Sequence, residues 1–301
     1  MKNWISAARL RTLPLSISGI FLGSLLAAYQ GQFDGLLFAL ACVTTLLLQV
    51  LSNYANDYGD GIKGTDKDRT GEKRAVASGD ISAESMKKAV KIMAVLSGIS
   101  ALALIALAYL PDHIELFATY FVLGIASVWA AISYTVGDKA YGYRALGDVF
   151  VFIFFGLVSV IGTYMLFTKT FDAILLLPAA AIGLLSTAVL NLNNMRDIPQ
   201  DKRANKNTVA VMLGLFYAKY YHAFLMFTPF VLALIYILQQ PVIEWFQFAY
   251  LILLIPAILL MIKVGNTQEY KMLDAELKKM ALLALAFALI FGFGILMTTA
   301  V

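Results

Sequence analysis

Nine stretches of about 20 mostly apolar residues run along this 301-residue chain, near 13–30, 36–54, 89–110, 115–135, 147–168, 173–193, 211–238, 243–263 and 280–300. That is the length an α-helix needs to cross a bilayer. The composition agrees, because 60% of residues are hydrophobic and only 14% charged, against roughly 25% charged in a soluble domain. The expected fold is an all-α integral membrane protein, one domain over 1–301 with about nine transmembrane helices. The single Cys42 cannot pair within the chain, which excludes a disulfide scaffold. A net charge of +4 is too small to indicate a nucleic-acid partner.

The charges test the span count. With nine spans, the N-terminus and the connections 55–88, 136–146, 194–219 and 264–279 share one side, and 22 of the 23 Lys and Arg fall there, counting those at the span ends; only Lys169 lies opposite. The same side takes 14 of the 19 acids, so it nets +8 against −4. The positive-inside rule makes it cytoplasmic, with the C-terminus outside, in a cell inner or plasma membrane. The basic, then apolar start reads as a retained first helix rather than a signal peptide. The seventh span starts poorly, because Lys219, Tyr220, Tyr221 and His222 interrupt it; an amphipathic interfacial entry is expected there.

Two connections on the basic side carry acids in a repeated pattern. In the first, Asn53 precedes Asp57 by four residues and Asp60 follows; in the second, Asn193 precedes Asp197 and Asp201 follows. If the helices continue past the bilayer edge, this spacing puts the carboxylates of each motif on one face. The motifs lie 140 residues apart and leave the second and sixth spans. That placement suggests a parallel internal repeat, about 13–135 and 147–263, with a ninth helix over 280–300. Clustered carboxylates need a cation, and Mg²⁺ typically joins a few of them to substrate phosphates. Interleaved bases would hold the remaining phosphate oxygens. The expected ligand is a diphosphate with a greasy tail, its head at the metal and its tail among the helices. A lone D-x-x-D is most simply a solvated face, but a doubled one at equivalent topological points is not.

Other signals are weaker. His113 and His222 are too isolated for a metal pair, and Cys42 reads as a small core residue. The connection from Tyr134 to Asp148, with Lys139 and Arg144 among tyrosines, either holds an anionic aromatic acceptor or simply anchors the chain at the interface.

These residues resemble the UbiA superfamily of intramembrane prenyltransferases. The resemblance is carried by NDYGDGIKGTDKDRTGEKRAVASGDIS (56–82) and NNMRDIPQDKRANKNTVAVMLG (193–214). Within the superfamily, AARLRTLPLS (7–16), K-G-T-D after the first acids and YRALGDVFVFIFFG (143–156) look like the branch that prenylates 1,4-dihydroxy-2-naphthoate in menaquinone synthesis. The resemblance implies a UbiA-type bundle around a central cavity open toward lipid, with Mg²⁺, a polyprenyl diphosphate donor and that naphthoate as acceptor, prenylated with loss of CO₂. Carried over by position, Asp57, Asp60, Asp197 and Asp201 would be catalytic and metal-binding, with Asn53 and Asn194 beside them. Lys63, Lys67, Arg69, Lys202 and Arg203 would bind diphosphate, and Arg144, Lys139, Tyr134 and Arg9 the acceptor. The acid after the first motif, Asp66, departs from the family spacing. Rival readings are another acceptor (4-hydroxybenzoate, homogentisate or haem), a CDP-alcohol phosphotransferase, and a secondary transporter, whose ionisable residues would lie nearer the bilayer midplane.

Overall fold

The computed structural model describes residues 1–65 and 74–298; Asp66, Lys67 and Arg69 lie outside the described residues. A six-residue helix, Lys2–Ala7, precedes a left-handed turn at Arg9 (φ 51°). Then come α1 (Leu13–Tyr29), α2 (Gly35–Lys63), α3 (Ala83–Tyr109), α4 (Ile114–Ser133) and α5 (Gly147–Thr168). The chain goes on through α6 (Leu176–Arg203), α7 (Val209–Leu238), α8 (Trp245–Asn266) and α9 (Asp274–Leu296). Among the described residues nine helices are long and apolar enough to cross a membrane, as the sequence predicted.

Both helices that carry an acid motif outrun the bilayer. At 29 and 28 residues, α2 and α6 exceed the roughly 20 that hydrocarbon requires, and the excess carries both acid motifs as helix. Asp34 caps the start of α2 by accepting from the N–H groups of Leu36 and Leu37, and Gly64 ends it in the left-handed conformation (φ 72°). No such stop interrupts it between Asn53 and Asp60, so the polar end stays helical.

The centre of the bundle is α6, whose Ala179, Ile182, Leu185, Ala188 and Leu192 are buried. It meets α5 very closely: a Cβ on Gly156 would lie 2.5 Å from Gly183 Cα, so both positions must be glycine for the backbones to approach. By contrast α4 is peripheral and turns Phe121, Val122, Ile125 and Trp129 outward, as a helix face toward lipid does.

The seventh span differs from expectation. Its break falls at Gly214 (φ 71°, ψ 164°), before the polar cluster, and the cluster faces protein. Lys219 Nζ donates to Gly265 O and Thr267 O at the end of α8, Tyr221 OH donates to Asp148, and His222 is buried. These residues serve interhelical packing, not an interfacial entry; only Tyr220 remains well exposed.

Candidate active site

At the end of the bundle where α2 and α6 project, all four motif aspartates are buried: Asp57 1%, Asp60 1%, Asp197 7% and Asp201 3% exposed. Carboxylates are rarely so buried unless paired, and each has a partner here. Asp57 accepts from the backbone N–H groups of Ala75 (3.0 Å) and Val76 (2.9 Å), tying down the connection that follows α2. Asp60 accepts from Tyr143 OH (2.7 Å), and its other oxygen lies 3.5 Å from Lys206 Nζ. Asp201 lies 3.9 Å from the same ammonium. Asp197 takes a two-pronged grip from the buried Arg196 (2.7 and 2.8 Å), which also reaches Asn193 Oδ1 (2.7 Å) and Asp274 at the start of α9.

Two connections are stapled together to build this arrangement. Ala145 N donates to Asn207 O and Asn207 N to Tyr143 O, an isolated bridge that lays the α4–α5 connection along the α6–α7 connection. Tyr143 is thereby set over Asp60, with Lys63 Nζ 4.2 Å and Lys206 Nζ 5.3 Å from its ring centroid. Lys63 is held there by the carbonyls of Thr135 (2.8 Å) and Gly137 (2.9 Å). Burial alone would lower the Lys206 pKa, but Asp60 and Asp201 outweigh it and hold its ammonium above the usual lysine range. Burial, with Asp60 close by, pushes the Tyr143 phenol up, and burial pushes Tyr134 up to about 12.

Beneath lies a cavity of about 350 Å³ lined by α1–α6 and α9. Its wall is apolar over most of its length. At the acid-motif end it turns polar, with Arg9, Arg11, Arg74, Gln49, Asn56 and Asn193. The cavity therefore pairs a long greasy space with a cationic, amide-rich mouth, which suits an anionic head on an apolar tail.

The predicted residues separate on this geometry. Arg9 and Tyr134 line the cavity, Arg9 donating to Asn56 Oδ1 at 3.2 Å. Lys139, Arg144, Lys202 and Arg203 are exposed. Asn53 is buried and gives its amide N–H to Ala8 O (2.8 Å), anchoring the N-terminal segment, and Asn194 is buried beside the second motif. Asp60 and Asp201 meet across Lys206 while Asp57 and Asp197 are held separately, and among the described residues no group of three or more His, Cys, Asp or Glu is close enough to hold a metal by itself. The donor set nevertheless fits Mg²⁺, which usually takes one or two carboxylates and completes its shell with water and substrate phosphates. Asp60 and Asp201 face one positive charge now, the Lys206 ammonium.

The model of the UbiA prenyltransferase family matches residues 16–285. The chain belongs to the UbiA prenyltransferase family. Among its relatives, the 1,4-dihydroxy-2-naphthoate octaprenyltransferase of Haemophilus influenzae is 42% identical over 98% of this chain and 96% of its own length. The protein of the same name from Escherichia coli is 48% identical over 74% of this chain and 72% of its own. Among solved structures, the apo UbiA homolog from Aeropyrum pernix K1 has a TM-score of 0.68 at 18% identity, covering 95% of this chain and 98% of that one. A UbiA homolog from Archaeoglobus fulgidus bound to GPP and Mg²⁺ scores 0.64 at 12% identity, covering 96% and 99%. The protein is thus a multi-pass membrane prenyltransferase with the UbiA fold.

Several residues of this prenyltransferase's site were not singled out from sequence. Arg196 follows the helix rule for no neighbour at i+1, yet its long side chain folds back onto Asp197. Asp274, 77 residues downstream of Asp197, carried no motif, and Lys206 was one base among several. Only Tyr143 had a signal, as one of the tyrosines in the middle connection.

Proposed function

We propose that this prenyltransferase moves a polyprenyl group from polyprenyl diphosphate to 1,4-dihydroxy-2-naphthoate, giving demethylmenaquinol for menaquinone synthesis. The observation that carries the reading is the cavity: a largely apolar space whose arginine- and amide-lined end includes Asn56 and Asn193, beside the two acid motifs. The names of the relatives at 42% and 48% identity support the naphthoate acceptor. The acid-motif end faces the cytoplasm in this reading, and α2 and α6 are equivalent helices of a parallel repeat.

Mg²⁺ would be held by Asp60 and Asp201, with Asp57, Asp197, Asn53 and Asn194 fixing the helix ends around them, and it would withdraw charge from the diphosphate leaving group. Lys63 and Lys206, already above Asp60, would take phosphate oxygens, assisted by Lys202 and Arg203 from the exposed rim. The allylic C–O bond breaks and diphosphate keeps the electron pair. The cavity excludes water from the resulting carbocation, which would otherwise end as free prenol. Phe150, Phe154, Phe155 and Tyr134 on its wall offer aromatic faces to the positive charge. Arg9, with Tyr134, orients the naphthoate carboxylate. The ring attacks through its carboxyl-bearing carbon, forming the new C–C bond, and loss of CO₂ returns the electron pair that restores aromaticity.

The test is turnover in nanodiscs with a polyprenyl diphosphate and 1,4-dihydroxy-2-naphthoate, with and without Mg²⁺, the product read by mass. A decarboxylated prenyl naphthoquinol formed only with Mg²⁺ is expected. Prenylation of 4-hydroxybenzoate or homogentisate instead would overturn the acceptor and keep the chemistry.

A further inference from the structure

We infer that Tyr120 closes the far end of the prenyl channel and sets how many isoprene units the bundle grips. The inference rests on the reading that the cavity houses the donor's tail.

The channel can be measured along α5. Phe150, Phe154, Val158, Gly162 and Leu166 all line it, and the wider π-helical winding of Phe152–Val158 helps to keep this four-residue stripe toward the cavity. From Phe150 to Leu166 the helix rises at most ~24 Å, less where Phe152–Val158 is wound as a π-helix. An extended chain covers about 3.3–3.6 Å per three backbone bonds, so a four-bond isoprene unit spans ~5 Å. At most about five units therefore fit between the polar mouth and the far end.

What stands at that end is built, not incidental. Tyr120 is the lining residue of α4 farthest from the acid motifs, and its hydroxyl donates to Gly162 O at 2.9 Å, crossing from α4 to α5. Behind it the Tyr109 ring packs 4.9 Å away, itself buried at 1% exposure. Lys169 Nζ lies 4.9 Å from the Tyr109 centroid and donates to Leu166 O. Thus the one basic residue on that side of the chain backs a two-tyrosine stopper. A hydrogen bond from a phenol to a helix carbonyl in an apolar setting is costly to break unreplaced, so a tail reaching this level meets a fixed wall. Longer tails must turn aside there and gain no further contact within the channel.

The experiment measures dissociation constants of thiolodiphosphate donor analogues with two to eight isoprene units on the full chain in nanodiscs with Mg²⁺. The wild type, Tyr120→Phe, Tyr120→Leu and Tyr120→Ala are compared. In the wild type, affinity should rise with each unit to about five and then level off. Tyr120→Phe keeps the ring and should keep the break. Tyr120→Ala and Tyr120→Leu should bind two- and three-unit analogues within twofold of wild type, yet gain at least threefold over the next two units beyond the old break. A break that does not move in either variant, or its absence in the wild type, overturns the inference. Binding is read without acceptor, so failure to prenylate the naphthoate would sink the proposed reaction and leave this result standing. Failure of every analogue to bind would sink both.

Discussion

Asp60 and Asp201, one from each acid motif, are held across a single ammonium: Lys206 Nζ stands 3.5 Å from the first and 3.9 Å from the second. The two carboxylates would repel at this range without it. Lys206 thus keeps the two helix ends in register for a divalent cation and a diphosphate, and is itself placed to move onto phosphate.

Replacing it tests that role. Lys206→Met leaves two buried carboxylates facing each other, a loss of about 3–5 kcal/mol for a buried pair. Thermal unfolding in detergent should start well below wild type when divalent cations are chelated. Mg²⁺ should restore much of the difference in the variant and little in the wild type, while turnover stays at least tenfold down. Equal Mg²⁺ responses in both proteins would count against a shared cation position.

A second network fixes the other motif. Arg196 joins Asp197 to Asp274, which also receives Arg11 at 3.3 Å, so α6, α9 and the start of α1 meet at one carboxylate. Arg196→Lys should lose most of the activity, because an ammonium cannot reproduce the two-pronged grip on Asp197. Arg196→Ala should be worse, by about 3–5 kcal/mol in stability. Asp274→Asn keeps an acceptor and should fall between wild type and Arg196→Lys in turnover.

The span count and the helical acid motifs were legible in the sequence. Each follows from local rules, apolar length for the first and four-residue spacing for the second. What ties the site together was not legible, because it depends on which connections meet. Lys206 became a bridge only when Asn207 paired with the backbone around Tyr143. Arg196 became a clamp only when α9 brought Asp274 beside it. The polar cluster of the seventh span misled for the same reason: Lys219 and Tyr221 have partners on α8 and α5, and local hydropathy cannot report them.

Asp57 does different work from Asp60. Its two oxygens cap the N–H groups of Ala75 and Val76, so Asp57→Ala should release that backbone as well as remove a carboxylate. Amide exchange at Ala75 and Val76 should accelerate, and turnover should fall at least a hundredfold. Asp60→Ala should abolish turnover with exchange at those two amides unchanged. If both variants speed exchange alike, the division of labour is wrong.

Alkaline pH should weaken the protein through three groups beside the acid motifs. Lys206, Tyr143 and Tyr134 all have folded pKa values above their ordinary ones, Tyr134 near 12. A raised folded value means the native state holds its proton more tightly than the unfolded chain does. Their stabilising contribution is therefore complete below the unfolded values, about 10 for both residue types, and is lost as pH climbs through the folded ones. Unfolding temperature should be insensitive to these groups from pH 7 to about 9.5 and should decline above pH 10. Tyr143→Phe removes one titrating phenol and should make that decline shallower. A wild-type decline beginning near pH 8 would mean that Lys206 is not held in its charged form by Asp60 and Asp201.

Arg9 provides the sharpest test of the acceptor's place. It lines the cavity mouth from a left-handed turn and is steadied by Asn56, whereas Lys139 and Arg144 are exposed and do not line the cavity. Losing a charge-assisted hydrogen bond to a carboxylate costs about 1.5–3 kcal/mol, roughly a ten- to hundredfold rise in the KM for 1,4-dihydroxy-2-naphthoate. Arg9→Gln should show that rise with the donor KM within about threefold of wild type, and Lys139→Gln should move neither. A donor KM that rises as much as the acceptor's would reassign Arg9 to the diphosphate. An acceptor KM raised by Lys139→Gln alone would place the naphthoate outside the cavity, under the α4–α5 connection.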